Sequence, residues 1–231
     1  MSLNFPKWQV HRGYWKAGVR ENTLQAFVTA KRLGAEMVEM DVQLCRENVP
    51  VVFHDLTLKR LFHIDEKVKK TKLEDLKALN IPLLVQVLKS DEVPEYLNIE
   101  LKAKSFFCLN LVSAVLYVLK KNTKKKILIS SFNPMCLFWL GLLAPKIPRA
   151  LIVSEAKLVL GWKWRVYLWL AVPHFLNVHF ELIDNSKTRK RIIAWKRGVM
   201  VWTVNDWEKA QFYLERGAAS VISDDLPKSK L

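Results

Sequence analysis

The 231-residue chain carries only three cysteines, Cys45, Cys108 and Cys136, at unrelated spacings. They make neither a zinc pattern nor a disulfide framework, so a reducing compartment, the cytoplasm, is expected. No stretch of about eighteen apolar residues is free of charge, so no membrane-spanning helix is expected. The opening Met1–Pro6 lacks a basic start followed by an apolar run and is not read as a signal peptide. Acidic side chains are scarce: 22 Asp and Glu stand against 37 Lys and Arg, a formal charge of +15. That surplus attracts polyanions, whether nucleic acid, anionic membrane or phosphate-bearing substrates, and does not choose among them. No nucleic-acid-binding motif supports the first of these, so nucleic acid is not expected as a partner. The densest basic run, Lys120–Lys126, reads as a solvated helix end and loop.

Hydrophobic residues make up 51% of the chain, enough for a large core. No linker, composition break or repeat divides it, so one domain over 1–231 is expected. Short β-branched runs alternate with helical stretches. Strands are expected at Gln9–His11, Met37–Val42, Leu97–Lys102, Ile127–Ser131, Ala150–Val153, Phe175–Val178, Val199–Val204 and Ser220–Ser223. Helices are expected at Thr23–Leu33, capped by Asn22 and closed by Gly34, at Leu73–Leu79, capped by Thr71, at Phe106–Lys121, from Pro134, and at Trp207–Arg216. A further strand, Pro50–His54, follows Met37–Val42 too closely for a crossover helix, so the two should pair as an antiparallel hairpin. Setting that hairpin partner aside leaves eight strands in strand–helix order, an α/β (β/α)₈ TIM barrel with a small hairpin insertion after its second strand. The region near 154–174 supports this count least.

Such a barrel gathers its site at the C-terminal ends of its strands. The polar residues that interrupt apolar strands lie there: His11-Arg12-Gly13, Glu39 and Asp41, His54-Asp55, Glu100 and Lys102, and Trp202 with Asn205. Glu39 and Asp41, two apart on one strand, point to the same side. Adjacent buried carboxylates need a compensating cation or proton. With Glu100 as a third ligand they suit a hard divalent cation, Mg²⁺ or Ca²⁺. Any one of them alone would read as a carboxylate paired with a lysine; all three in one layer read as a metal site. His11 and His54 can divide proton transfer, one activating a nucleophile and the other protonating a leaving oxygen. His63, His174 and His179 read as structural. Arg12 and Lys102 can clamp a phosphoryl group, and Gly13 lets the backbone come close.

In this order the motifs resemble those of the glycerophosphodiester phosphodiesterase family. The likeness runs from His11-Arg12-Gly13 through Glu21-Asn22-Thr23, Glu39-Met40-Asp41, Phe53-His54-Asp55, Ile81-Pro82-Leu83, Glu100-Leu101-Lys102 and Ser130-Ser131-Phe132. It closes with Trp202-Thr203-Val204-Asn205 and Ser223-Asp224. The resemblance implies that His11 and His54 are the acid–base pair. Glu39, Asp41 and Glu100 would hold the cation, Arg12 and Lys102 would touch phosphate, and Trp202 would lie beside the substrate's alcohol. Glu21 and Asn22 would cap or support. The implied reaction hydrolyses a small glycerophosphodiester to glycerol 3-phosphate and an alcohol. The chain departs from the family at Cys45-Arg46-Glu47-Asn48 in the hairpin turn, in the glycine-free Leu61–Lys70, and in the aromatic loop Tyr14–Gly18.

Leu158–Phe175 mixes Trp162, Trp164, Tyr167 and Trp169 with Lys163 and Arg165. An ordinary barrel helix accounts for it. The alternative is a peripheral contact with anionic membrane, with lysophospholipase D-type action on lysophospholipids there. A barrel that binds phosphodiesters or lipids without turnover is the remaining reading.

Overall fold

Trp8–Val10 forms β1, and the left-handed turn at Arg12 and Gly13 (φ 58° and 76°) then swings the chain toward α1, Leu24–Arg32. A side chain at Gly13 would need a Cβ 2.8 Å from the Ala26 backbone, so only glycine fits this approach. The structure is a computed structural model that describes residues 4–16, 18–122 and 124–227. Ala17 of the Tyr14–Gly18 loop, Thr123 of the basic run and Met1–Leu3 of the opening segment lie outside those residues.

Helix α1 is capped by Thr23, whose side chain accepts from Ala26 N at 3.2 Å, and not by Asn22 as expected. Asn22 turns inward instead. Next come β2 (Met37–Leu44) and β3 (Pro50–Val52), paired antiparallel with Val42 opposite Val52. Asn48, at φ 59°, takes the left-handed position of their turn. Before α4 (Leu84–Lys89), whose Leu84, Val87 and Leu88 join the main barrel core, the insertion continues through α2 (Lys59–Phe62), a 3₁₀ turn at Val68–Lys70 and α3 (Leu73–Ala78). It packs a small core of its own around Val51, Phe53, Leu58, Val68, Leu76 and Ile81. Thr71 does not cap α3: its hydroxyl donates to the Lys67 carbonyl, and Glu47 from the hairpin turn accepts from Leu73 N at 2.9 Å. The unusual turn sequence thus caps a neighbouring helix.

The repeat then runs regularly: β4 (Tyr96–Leu101), α5 (Leu109–Asn122), β5 (Lys126–Ser131), α6 (Pro134–Leu143) and β6 (Arg149–Val153). It continues through α7 (Ala156–Leu160), α8 (Lys163–Ala171), β7 (Phe175–His179), α9 (Phe180–Asp184) and α10 (Ser186–Ile193). It ends with β8 (Gly198–Trp202), α11 (Trp207–Glu215) and β9 (Ser220–Ser223). Helix α5 starts three residues later than Phe106 because Ser105 Oγ accepts from Phe107 N, turning the chain there. Eight strands pair in parallel and close, with β1 bonded to both β9 and β2; β3 is the extra antiparallel strand. This is a TIM barrel.

Every residue of β2 is buried, including Glu39, Asp41 and Gln43. A strand half-exposed to water would put such side chains outward; here the outer side is covered by helices and the polar side faces the barrel axis. The interior is layered. Met37, Leu128, Ala150, Phe175 and Met200 form an apolar floor closed by Phe5. Two residues further along the same strands come Glu39, Ser130, Ile152, Asn177 and Trp202, all lining one cavity. Gln9, Asn98 and Ser130 form a hydrogen-bonded chain there: Asn98 Nδ2 donates to Gln9 Oε1 at 2.9 Å and Ser130 Oγ to Asn98 Oδ1 at 2.8 Å. Of the basic run, Lys120 and Lys121 lie in the last turn of α5 and Lys126 opens β5, at the opposite end from the mouth. No helix of the described residues is long and apolar enough to cross a membrane.

Candidate functional site

The C-terminal strand ends bring together all eight sequence-derived site residues except that Asp41 lies just beneath the cavity surface. His11, Arg12, Glu39, His54, Glu100, Lys102 and Trp202 line one cavity of about 240 Å³, with Phe132 and Asn177. Strand register sets the acidic cluster: Asp41 stands opposite Glu100 on β4, and Glu39 two residues below it opposite Asn98. One oxygen from each of Glu39, Asp41 and Glu100 lies within 4.8 Å of the others. Ligand oxygens around a hard divalent cation span about twice its bond length, roughly 4–5 Å, so the trio could hold such an ion. Two of the oxygens, Asp41 Oδ1 and Glu100 Oε1, are buried without a well-directed hydrogen bond, although Lys102 Nζ stands 3.0 and 2.7 Å away. Each carboxylate oxygen has a second lone pair beyond the one that faces Lys102, and that pair could meet a further cation.

The charges are unevenly held. Burial pushes the Asp41 carboxyl upward, but Lys102, Arg12, His54 and the Asn22 hydrogen bond outweigh it and hold it at about 2. Burial, then repulsion from Asp41 and Glu100, raises Glu39 well above the usual carboxylate range. Burial pushes Glu100 to about 7 against the pull of Lys102. Three carboxylates this close do not all ionise comfortably beside two flanking cations, so further positive charge would be welcome there.

Arg12 is fixed from several sides. Its Nη1 donates to Glu21 at 3.0 Å, its Nε lies 3.2 Å from Asp41 Oδ2, and its backbone N–H donates to Glu39. Asn22 gives its Nδ2–H to Asp41 Oδ2 at 2.8 Å and accepts Asp41 N–H at 3.1 Å. The pair expected to cap or support therefore buttresses a carboxylate and a guanidinium.

Each histidine is backed by an aspartate. His11 Nδ1 lies 2.7 Å from Asp224 Oδ1, and His54 Nδ1 lies 2.7 Å from Asp55 Oδ1. Each contact favours the Nδ1–H tautomer and leaves Nε2 for the cavity. The His11 Nε2 atom is 3.9 Å from Glu39 Oε2. Asn205 Nδ2 holds Asp224 Oδ2 at 2.7 Å, and Arg60 holds Asp55. Gln43 fixes the turn that carries His54, donating to the carbonyls of Phe53 and Asp55 at 2.8 and 2.7 Å. Burial lowers the His54 imidazole below its ordinary value, with Lys102 and Arg12 opposing its protonation and Asp41 favouring it. Sequence reasoning gave no role to Asp55, Asp224 or Gln43; adjacency of His54 to Asp55 was the one local signal.

Trp202 donates its indole N–H to the Asn177 carbonyl at 3.0 Å and meets Phe132 edge-on at 5.7 Å. The Trp202–Thr203 peptide is cis. His179 packs against the Trp202 ring at 5.3 Å, and His174 accepts from the Arg149 N–H. His63 closes α2 in a left-handed conformation, so none of these three stands in the cavity lining.

Residues 11–228 match the model of the glycerophosphoryl diester phosphodiesterase family, and the chain belongs to this family of phosphoric diester hydrolases. A glycerophosphodiester phosphodiesterase of Caldanaerobacter subterraneus is 30% identical, with 93% of this chain and 92% of that protein aligned. Among solved structures, an Oleispira antarctica phosphodiesterase in complex with the product sn-glycerol-3-phosphate superposes with a TM-score of 0.82 at 28% identity, covering 95% of this chain and 93% of that one. The Thermotoga maritima glycerophosphodiester phosphodiesterase does so with a TM-score of 0.76 at 29% identity, covering 96% and 95%.

Proposed function

We propose that the chain, one barrel unit, hydrolyses small glycerophosphodiesters to glycerol 3-phosphate and an alcohol, with His11 and His54 as the acid–base pair. The observation that carries this reading is the pair of aspartate-backed imidazoles at one cavity that also holds the Glu39, Asp41 and Glu100 cluster. These three carboxylates would hold a divalent cation, Mg²⁺ or Ca²⁺. Such a cation supplies charge neutralisation at the phosphoryl oxygens. Arg12 and Lys102 stand beside the same carboxylates and can share the phosphate's charge. One imidazole Nε2 removes the proton from the nucleophile, water or a substrate hydroxyl next to the phosphate. The other Nε2 delivers a proton to the leaving alkoxide. The edge-on pair of Trp202 and Phe132 offers an apolar wall to the alcohol. A barrel that only binds would not need both imidazoles held in one tautomer.

A second reading keeps the chemistry and takes a lysophospholipid. A groove of about 540 Å³ that meets the cavity at Phe132 and Ile152 favours it. Choline release from glycerophosphocholine and from lysophosphatidylcholine, each with metal, tests both. Turnover of the first alone supports the main reading and preference for the second supports the other. Turnover of neither by folded, metal-loaded protein would point to another headgroup or to a barrel that only binds.

A further inference from the structure

The loops that follow β4, β5 and β6 rim the mouth of the barrel with exposed aromatic side chains. Phe106 and Phe107 are 67% and 95% exposed, and Trp162, at the start of α8, is 74% exposed. The Phe106–Phe107 corner is built outward: Phe107 N donates to Ser105 Oγ at 3.1 Å, and Cys108 N to the Phe106 carbonyl at 3.0 Å. Asn133 ties the same loop down, donating to the Ala103 and Ser105 carbonyls at 3.2 and 2.8 Å. Trp162 rims the groove that runs on from the cavity past Phe132, between Leu158 and Tyr167. The neighbouring Trp164 is buried against α6, so α8 divides its aromatics between core and surface.

Cations stand among these rings. Lys163 lies 5.9 Å from the Trp162 ring, Lys157 and Lys163 line the groove against one acidic side chain, Glu155, and Lys104 shares the Phe106 loop. Among the described residues no ion pair joins Lys104, Lys157 or Lys163 to a carboxylate. Water-exposed aromatics between free cations, around the opening of a phosphodiester site, match the headgroup layer of a membrane: apolar rings enter it and ammonium groups meet its phosphates.

We propose that the barrel mouth docks on an anionic lipid surface, with Phe106, Phe107 and Trp162 entering the headgroup layer and Lys104, Lys157 and Lys163 against the lipid phosphates. A second copy of the chain is a poor occupant, because it brings the same +15 charge. Docked in this way, the groove opens toward the lipid and can receive a single acyl chain. The docking face goes beyond the reaction proposed above and requires none of its residue roles.

The test is cosedimentation of the full chain with vesicles of phosphatidylcholine alone and of phosphatidylcholine mixed with phosphatidylglycerol. The proposal expects binding to the mixed vesicles, weakened by salt. It expects F106S/F107S to weaken that binding about tenfold or more while turnover of soluble glycerophosphocholine is unchanged. Absent binding by the wild type, undiminished binding by F106S/F107S, or preference for single-stranded DNA over the mixed vesicles would overturn it. Failure of glycerophosphocholine turnover in the wild type would remove that ester as a substrate and leave the vesicle result standing.

Discussion

The two sides of the barrel mouth are built from different chemistry. The ends of β1, β2 and β4, with the turn after β3, carry His11, Arg12, Glu39, Asp41, His54, Glu100 and Lys102. The ends of β5 to β8 contribute Phe132, Ile152, Asn177 and Trp202 to the same cavity. The first side is a dense charge array whose members hold one another through Asn22, Glu21, Asp55 and Asp224. The second is mostly apolar and opens into the Phe132–Tyr167 groove. One side is therefore suited to a phosphoryl group and its cation, the other to whatever the phosphate is esterified to. Changes on the first side should strike turnover and cation binding, and changes on the second should strike substrate preference.

The largest separation is expected from His11→Ala and His54→Ala. Each should lower kcat about 10²–10⁴-fold with an unchanged unfolding transition. Retained activity in either would remove that imidazole from the chemistry. Glu100→Gln should act in opposite directions on two properties. Cation binding by calorimetry and turnover should both fall, while the metal-free protein becomes more stable because a buried like-charge contact is gone. A fall in both activity and metal-free stability would instead mark Glu100 as a structural partner of Lys102.

Asp224→Asn and Asp55→Asn should cost about 10–100-fold in kcat, because the amide no longer enforces the Nδ1–H tautomer. A rise in KM alone would mean that these aspartates serve binding and not the imidazoles. Glu39 and Glu100 also predict a pH signature. Their folded-state values are raised, that of Glu100 to about 7, so the folded chain binds more protons than the unfolded one below that pH. Their contribution to the stability of the metal-free protein should thus fall as pH rises from about 4.3 to 7, by up to about 4 kcal/mol for Glu100. Bound cation should flatten that slope in denaturant titrations, and a slope unaffected by cation would break the link. The smallest effect belongs to the second side: Trp202→Leu should raise KM for glycerophosphocholine with little change in kcat, and an equal fall in kcat would move Trp202 to the chemistry.

The barrel was legible because each buried parallel strand is a β-branched run followed by a helical stretch, and the short gap before Pro50 forced a hairpin. The candidate site was legible because Glu39, Asp41 and Glu100 break apolar strands, where an unpaired carboxylate is costly. What failed was local bookkeeping that tertiary contacts override. Asn22 looks like a helix cap, yet Asp41 claims its side chain and Thr23 caps α1. Thr71 precedes α3, yet Glu47 from the hairpin turn reaches its first turn. Asp224 lies 213 residues from His11, and no sequence pattern joins them before the barrel closes through β1 and β9. Helices α9 and α10 were not anticipated; the polar Ser186–Ile193 buries only Thr188 and Ile192, too little for a clear apolar stripe.

The most direct test of the account is glycerol 3-phosphate release from glycerophosphocholine by chelator-treated protein, before and after addition of Mg²⁺ or Ca²⁺. The account predicts no turnover after chelation, recovery with a divalent cation, and no recovery in Glu100→Gln. Full turnover in chelator would contradict it, because Glu39, Asp41 and Glu100 would then have to act as an uncompensated acidic cluster.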